Sequence, residues 1–229
     1  GPRELRISRD YPGYALQALE EAFKRDIVAI FMNGCCGNIN PRWIWDRPDL
    51  SPPPPRVIPE GLEERLRETR RLGHILGAEA LKSSESITGF TSDVRLKAKR
   101  AEVSLPVRKD IPERMLERIK SAKPDEPRYE HYKRILRGED VVTEVQAMAL
   151  NDTAIVGVPG EVFVEYELEI REKSPYKYTF VSELANDSIG YVLVPKAYEE
   201  GGYEPTATVV APNAGVKLTQ SAINLLKEL

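Results

Sequence analysis

Three times along the chain, an apolar, strand-like run gives way to a polar turn that carries glycine. "DIVAIFM" (26–32) leads into Asn33–Pro41, "NGCCGNINP". "TAIVGVP" leads into "PGE", which ends at Glu161. "YTFVSELAND" (178–187) leads into "SIGY", which ends at Tyr191. Short, continuous, β-branched runs of this kind predict buried strands. Helical patterns fall between them, so the expected class is α/β, a mixed β-sheet flanked by helices. In such sheets, loops beyond the carboxyl ends of strands are free to be shaped without upsetting the core. The three turns are therefore expected to converge, with Asn33, Asn38, Asn40, Glu161, Asn186, Asp187, Tyr191 and Tyr203 as the candidate lining.

The rest of the chain fills in the frame. Apolar spacing predicts a helix over 11–25 and a long one over 60–86, where Leu62, Leu66, Thr69, Leu72, Leu76 and Ala80 keep the helical period. Between these helices, 42–61 is proline-dense and reads as a loop, whose Trp43 and Trp45 either pin it to the core or fold over a nearby cleft. Residues 92–108 read as a strand or hairpin. Residues 111–138 read as an inserted helical segment, two charged helices around a break at Pro124 and Pro127. "TEVQAMAL" and "TAIVGVP" are two strands joined by a turn at Asn151 and Asp152. A helix over roughly 162–173 and a C-terminal amphipathic helix complete a single α/β domain spanning 1–229.

Composition removes several classes of function. The formal net charge is −3, from 33 basic and 36 acidic residues, so no basic excess asks for nucleic acid. No apolar run reaches the ~20 residues of a membrane span, and the polar opening "GPRELRISRDYPG" predicts no signal peptide. The two cysteines, Cys35 and Cys36, are adjacent and ill placed for a bridge, which favours a reducing, cytoplasmic setting. His74 and His131 are the only histidines, whereas a self-contained catalytic zinc site usually draws on two or three. His74 reads as a satisfied helix residue and His131 as part of a solvated helix face.

The residue types at the turns leave more than one chemistry open. The "NGCCGNINP" backbone is either a tight turn packed beneath a helix or a loop whose NH groups face an anion or carbonyl. Zinc at Cys35 and Cys36 is disfavoured, since no second cysteine pair exists. A nucleophilic cysteine lacks a histidine partner. Both thiols therefore read as small buried groups. Glu161 is either a helix cap or a metal ligand or general base held by its Pro-Gly turn. A phenol at Tyr191 or Tyr203 is either a packing group or a metal ligand or oxyanion donor.

Taken in order, "RDYPGYALQALEEAF", "FMNGCCGNINPR", "ALNDTAIVGVPGEVFVE", "FVSELANDSIGYVLVPKAYEEGGYE" and the terminal helix resemble the neutral/alkaline, non-lysosomal ceramidase family, above all its short prokaryotic members. The match falls in the C-terminal half of that family's amidase domain. The resemblance implies a zinc-dependent amidase of the type that cleaves ceramide to sphingosine and a fatty acid. It implies Glu161 and Tyr191 as metal ligands, and Tyr203 and Asn40 as catalytic positions. Asn33, Gly34, Asn38 and Asn186, on the converging turns, are expected to bind substrate. The family's two histidine ligands belong to segments with no counterpart here, so the Zn2+ site is expected to be shared with an N-terminal half or a separate subunit carrying it. The substrate is expected to be a small-molecule or lipid amide. The family's Gly-Asp-x-Ser-Pro turn reads Gly37-Asn38-Ile39-Asn40-Pro41 here, and asparagine offers no oxygen nucleophile in place of serine. The alternative expectation is a non-catalytic subunit or interaction module on the same scaffold.

Overall fold

The computed structural model describes residues 7–24, 26–40, 62–126 and 128–229, in two compact units. The loop at 42–61, with Trp43 and Trp45, lies outside the described residues. One unit holds the described residues up to Met32, together with Asn40 and those from 62 to Ser92. The other holds Asn33–Ile39 and Asp93–Leu229.

The first unit is a pair of helices, α1 (Asp10–Ala22) and α2 (Leu62–Glu85), where the apolar spacing predicts them. Gly73 and Gly77, one turn apart on α2, let the backbones come close. A Cβ at Gly73 would stand 2.4 Å from the carbonyl oxygen of Tyr11, and one at Gly77 2.9 Å from that of Ala15. His74, between them, is exposed and meets the Tyr14 ring edge-on at 6.1 Å.

One sequence expectation fails in this unit. Residues 26–32 form no strand. Val28 and Ile30 are 85% and 80% exposed, and Ile27 and Met32 are exposed as well. The run has the composition of a strand, but among the described residues no neighbouring strand pairs with it, and an unpaired extended segment is not a sheet element.

The second unit is built on a four-stranded mixed sheet in the order β1-β2-β3-β5. Strand β2 (Val141–Leu150) runs antiparallel to both β1 (Leu96–Leu105) and β3 (Thr153–Gly157). The turn between β2 and β3 places Asn151 in the left-handed region at φ 53°. The segment between β1 and β2 carries two short helices, α3 (Glu113–Lys120) and α4 (Tyr129–Leu136), as expected for the inserted segment. After β3, the chain makes the two-residue strand β4 (Glu161–Val162) and helix α5 (Val164–Lys173), then returns as β5 (Tyr178–Ser182) parallel to β3. A parallel return needs such a crossover. A second short strand, β6 (Tyr191–Val192), pairs in parallel with β4 and is followed by α6 (Pro195–Glu200), a 3-10 turn (Glu204–Ala207) and the terminal helix α7 (Ala214–Lys227).

Alternation divides the sheet into two faces. Val145, Ala147, Val156 and Val181 are buried, in one core with Tyr166 and Ile170 of α5 and Leu218, Ile223 and Leu226 of α7. On the opposite face Ala98, Met148, Ile155 and Phe180 lie in register across all four strands. The next row holds Leu96, Leu150, Thr153 and Tyr178. Leu96, Met148, Leu150, Tyr178 and Phe180 are exposed.

Candidate active site

The carboxyl ends of the parallel strands β3 and β5 point into one loop cluster. The chain leaves β3 through Pro159 and Gly160. Gly160 adopts φ 78° and lies so near the carbonyl oxygen of Gly190 that an added Cβ would stand 2.5 Å from it. Only glycine meets both conditions. The close approach lets the amide of Glu161 donate to Gly190 O (2.9 Å) and that of Phe163 to Val192 O (3.0 Å). In this parallel pairing Glu161 stands directly opposite Tyr191. The Tyr191 hydroxyl lies beside the Glu161 carboxylate. Burial and, after it, this neighbouring carboxylate hold the phenol well above its ordinary range.

Tyr203 joins them from the loop before the 3-10 turn. Its ring meets that of Tyr191 edge-on, with centroids 5.9 Å apart and planes at 85°. The guanidinium of Arg114, delivered by α3, lies 5.3 Å from the Tyr203 ring centroid. The ring is thus held between two partners while the side chain remains exposed. Glu161, Tyr191 and Tyr203 form a line of one carboxylate and two phenols.

The turn 33–39 docks beside this line through side chains that sequence reading did not single out. Glu183, just past β5, is 4% exposed. Its Oε1 accepts from Asn33 Nδ2 (2.9 Å) and Cys36 Sγ (2.9 Å), and its Oε2 from the amides of Cys36 (3.0 Å) and Val162 (3.0 Å). Glu167 on α5 accepts from the amide of Cys35 (2.8 Å), beside Gly34. Asn38 Oδ1 accepts from the amide of Val164, the first residue of α5 (2.9 Å), and Asn38 Nδ2 donates to Glu165 (2.8 Å). Asn38 is thus an N-cap delivered from a distant part of the chain. The amides of Asn33 and Asn38 are both engaged by protein groups.

Asn186 is exposed, with φ 65°. The neighbouring Asp187 makes the structural bonds of its loop, accepting from Thr143 Oγ1 (3.1 Å) at Oδ2 and from the amide of Gly160 (3.2 Å) at its main-chain oxygen. Asn40 is exposed and falls in the helical unit. Cys35 is buried, and Cys36 is half-buried with its thiol on Glu183. His131 is partly buried rather than fully solvated. Desolvation lowers its pKa, and the nearby charge of Asp187 opposes that effect.

A signal for Glu183 was present in the sequence. Period-two alternation puts it on the same side as Val181, which is buried, so a carboxylate there needs donors. Arg114 carried no such signal, since its role depends on how the inserted segment folds back.

As donors for a metal, Glu161 and Tyr191 offer two adjacent oxygens. Among the described residues no three of His, Cys, Asp and Glu gather into a metal-holding group. The pair therefore fits part of a zinc ligand set, not a whole one.

The backbone places the unit among known folds. Over 97% of this chain it superposes on the crystal structure of neutral ceramidase from Pseudomonas aeruginosa, with a TM-score of 0.66 and 18% identity, covering 41% of that chain. A structure described as ceramidase complexed with C2 matches 97% of this chain at a TM-score of 0.65 and 15% identity, with 42% of its own length covered. The chain has the fold of part of a neutral ceramidase. It spans about two fifths of the length of these ceramidases. No protein-family model matches the sequence, and no curated protein does.

Proposed function

We propose that this chain is the part of a zinc-dependent amide hydrolase of ceramidase type that supplies Glu161 and Tyr191 to the metal and Tyr203 to the substrate. The observation that carries the reading is the register of the parallel pair, which sets Glu161 directly opposite Tyr191 at adjacent strand ends of a ceramidase-like fold. Two histidine ligands come from polypeptide that this chain does not span. Zinc, when bound, polarises a carbonyl and acidifies water.

The chain's own residues do the rest. Glu161 and Tyr191 hold their oxygens side by side because both peptide planes of a parallel pair fix their Cα atoms. Tyr203 makes no hydrogen bond through its hydroxyl among the described residues, so that group is available to donate to a carbonyl oxygen as negative charge develops. Arg114 and Tyr191 keep the Tyr203 ring from swinging away. Asn186 offers an exposed amide for substrate, while Asn33, Gly34 and Asn38 shape the wall through their bonds and contacts with Glu183, Glu167 and Glu165. Asn40 brings an amide and no hydroxyl, so no covalent acyl intermediate forms on it. The substrate is a small-molecule or lipid amide.

A second reading, a non-catalytic subunit on the same scaffold, is favoured by the apolar sheet face around Met148 and Phe180, which no helix of the second unit covers. Large exposed apolar patches mark contact surfaces. No helix among the described residues is long and apolar enough to cross a membrane.

Glu161→Ala in the assembly completed by the missing part decides between the two. Loss of both zinc and amide hydrolysis is expected. Unchanged zinc content and unchanged hydrolysis leave only the subunit reading.

A further inference from the structure

We infer that Glu183 is a positioning residue, a buried carboxylate that fixes the direction in which Glu161 presents its side chain and locks the 33–36 turn beside it. The consequence for catalysis rests on the hydrolase reading above; the positioning itself does not.

Two amides flank the Glu161 Cα. The amide of Glu161 donates to Gly190 O (2.9 Å), and the next amide along, that of Val162, donates to Glu183 Oε2 (3.0 Å). Together these bonds fix both peptide planes around Glu161, and so the direction of its Cβ. The same carboxylate oxygen accepts from the amide of Cys36 (3.0 Å), while Oε1 takes Asn33 Nδ2 and Cys36 Sγ, each at 2.9 Å. The amide of Glu183 itself donates to Asn33 O (3.1 Å). Glu183 thus joins the turn to β4 from a third place in the chain. All four side-chain partners are donors, two to each oxygen, which only the carboxylate form satisfies. No Lys, Arg or His forms an ion pair with it among the described residues. An ionised group this deeply buried persists only when its lone pairs are used. Glutamine would turn an NH2 toward one of the two donor pairs and leave that pair without an acceptor. Groups that orient a functional carboxylate in this way typically matter by about ten- to a hundredfold in affinity or rate.

The test is Glu183→Gln in the full chain, read first by amide hydrogen exchange. Exchange at Val162 and Cys36 is expected to speed up about tenfold or more, while Val145 and Ala147 in the middle of β2 keep their wild-type rates. A crystal structure of the variant is expected to show the Glu161 side chain turned from its wild-type direction. Wild-type exchange at both amides, or an unchanged direction of the Glu161 side chain, overturns the inference. If the Gln variant does not fold, Asn33→Ala, which removes one donor and keeps the carboxylate, takes its place. It is expected to speed exchange at Cys36 by about threefold, and an unchanged rate there overturns the inference. In the completed assembly, Glu183→Gln is expected to lower kcat by about ten- to a hundredfold with KM within about twofold. A variant that melts lower but keeps its kcat per folded molecule overturns the inference, because a merely structural role gives that pattern. A wild-type assembly that cleaves no amide defeats the hydrolase reading instead, and the exchange rates and the variant structure still decide the role of Glu183.

Discussion

Glu161 and Tyr191 stand opposite each other across the parallel pair β4–β6, and the phenol of one lies beside the carboxylate of the other. On the zinc reading proposed above, these two oxygens supply two ligands, fewer than the four a closed zinc site uses. The isolated chain should therefore keep well below one equivalent of zinc after dialysis, measured by atomic emission, and the completed assembly should keep a full equivalent. Tyr191→Phe retains the ring that packs on Tyr203 and removes only the oxygen, so it should lower zinc affinity in the assembly by at least about tenfold without shifting the melting point by more than a few degrees. Stoichiometric zinc on the isolated chain would sink this picture.

Gly37 is required by space rather than by backbone conformation. Its amide donates to Val162 O (2.9 Å), and an added Cβ would stand 2.6 Å from Glu161 O and 3.0 Å from two carbonyl carbons. These are backbone atoms of the strand that carries the site, and they cannot give way as a side-chain tip would. Gly37→Ala should therefore destabilise the chain by about 1–3 kcal/mol in denaturant titration. It should also disturb β4 more than β2. A neutral result would mean that the turn does not rest on β4 as described.

How much of this was legible beforehand follows from the kind of force that fixes each part. Strands β1, β2, β3 and β5 and helices α1 to α5 and α7 were readable because local alternation and helical period are written in neighbouring residues. The run 26–32 was misread because its composition is that of a strand, while strand formation needs a pairing partner, which no local pattern supplies. The convergence of Glu161, Tyr191 and Tyr203 was foreseen through the turns that follow strands. The fastening of the 33–39 turn was not foreseen: Glu183, Glu167 and Glu165 lie more than a hundred residues further along the chain, and hydrogen bonds over that separation leave no spacing to detect. Asn33 and Asn38 accordingly read as substrate-facing amides, whereas the structure shows both engaged in holding the turn.

Helix α5 tests that fastening directly. Its N-terminal flanking residue, Phe163, has no capping side chain, so the amide of Val164 takes its acceptor from Asn38. Asn38→Ala should leave that amide unsatisfied and cost about 1 kcal/mol, within the usual range for loss of a cap. Loss of the exposed contact with Glu165 should add little. Hydrogen exchange should accelerate at Val164 and spare the centre of α7. Asn38→Asp, which keeps the acceptor but faces Glu165 with a second carboxylate, should recover only part of the loss.

The paired thiols give the fold a dependence on alkaline pH. Burial, followed by the hydrogen bond to Glu183, pushes the Cys36 thiol from an ordinary value of 9.0 up to about 11. Cys35 is raised further, by burial first and then by the charges of Glu167 and Glu183. A group that ionises less readily in the folded state keeps its proton there while the unfolded chain has already lost it. Stability from these thiols is therefore complete below pH 9 and declines as pH climbs from about 9 toward 11, since the unfolded state binds fewer protons over that window. The melting temperature should fall between pH 8.5 and about 10.5, and Cys36→Ser should flatten part of that fall, since serine does not ionise there. Alkylation by iodoacetamide should follow the same titration. Cys36 should react slowly at pH 8 and gain rate until about pH 11, while Cys35 stays unlabelled in the folded chain. Rapid labelling of Cys36 at neutral pH would show a thiolate beside Glu183, and with it a turn differently seated from the one described.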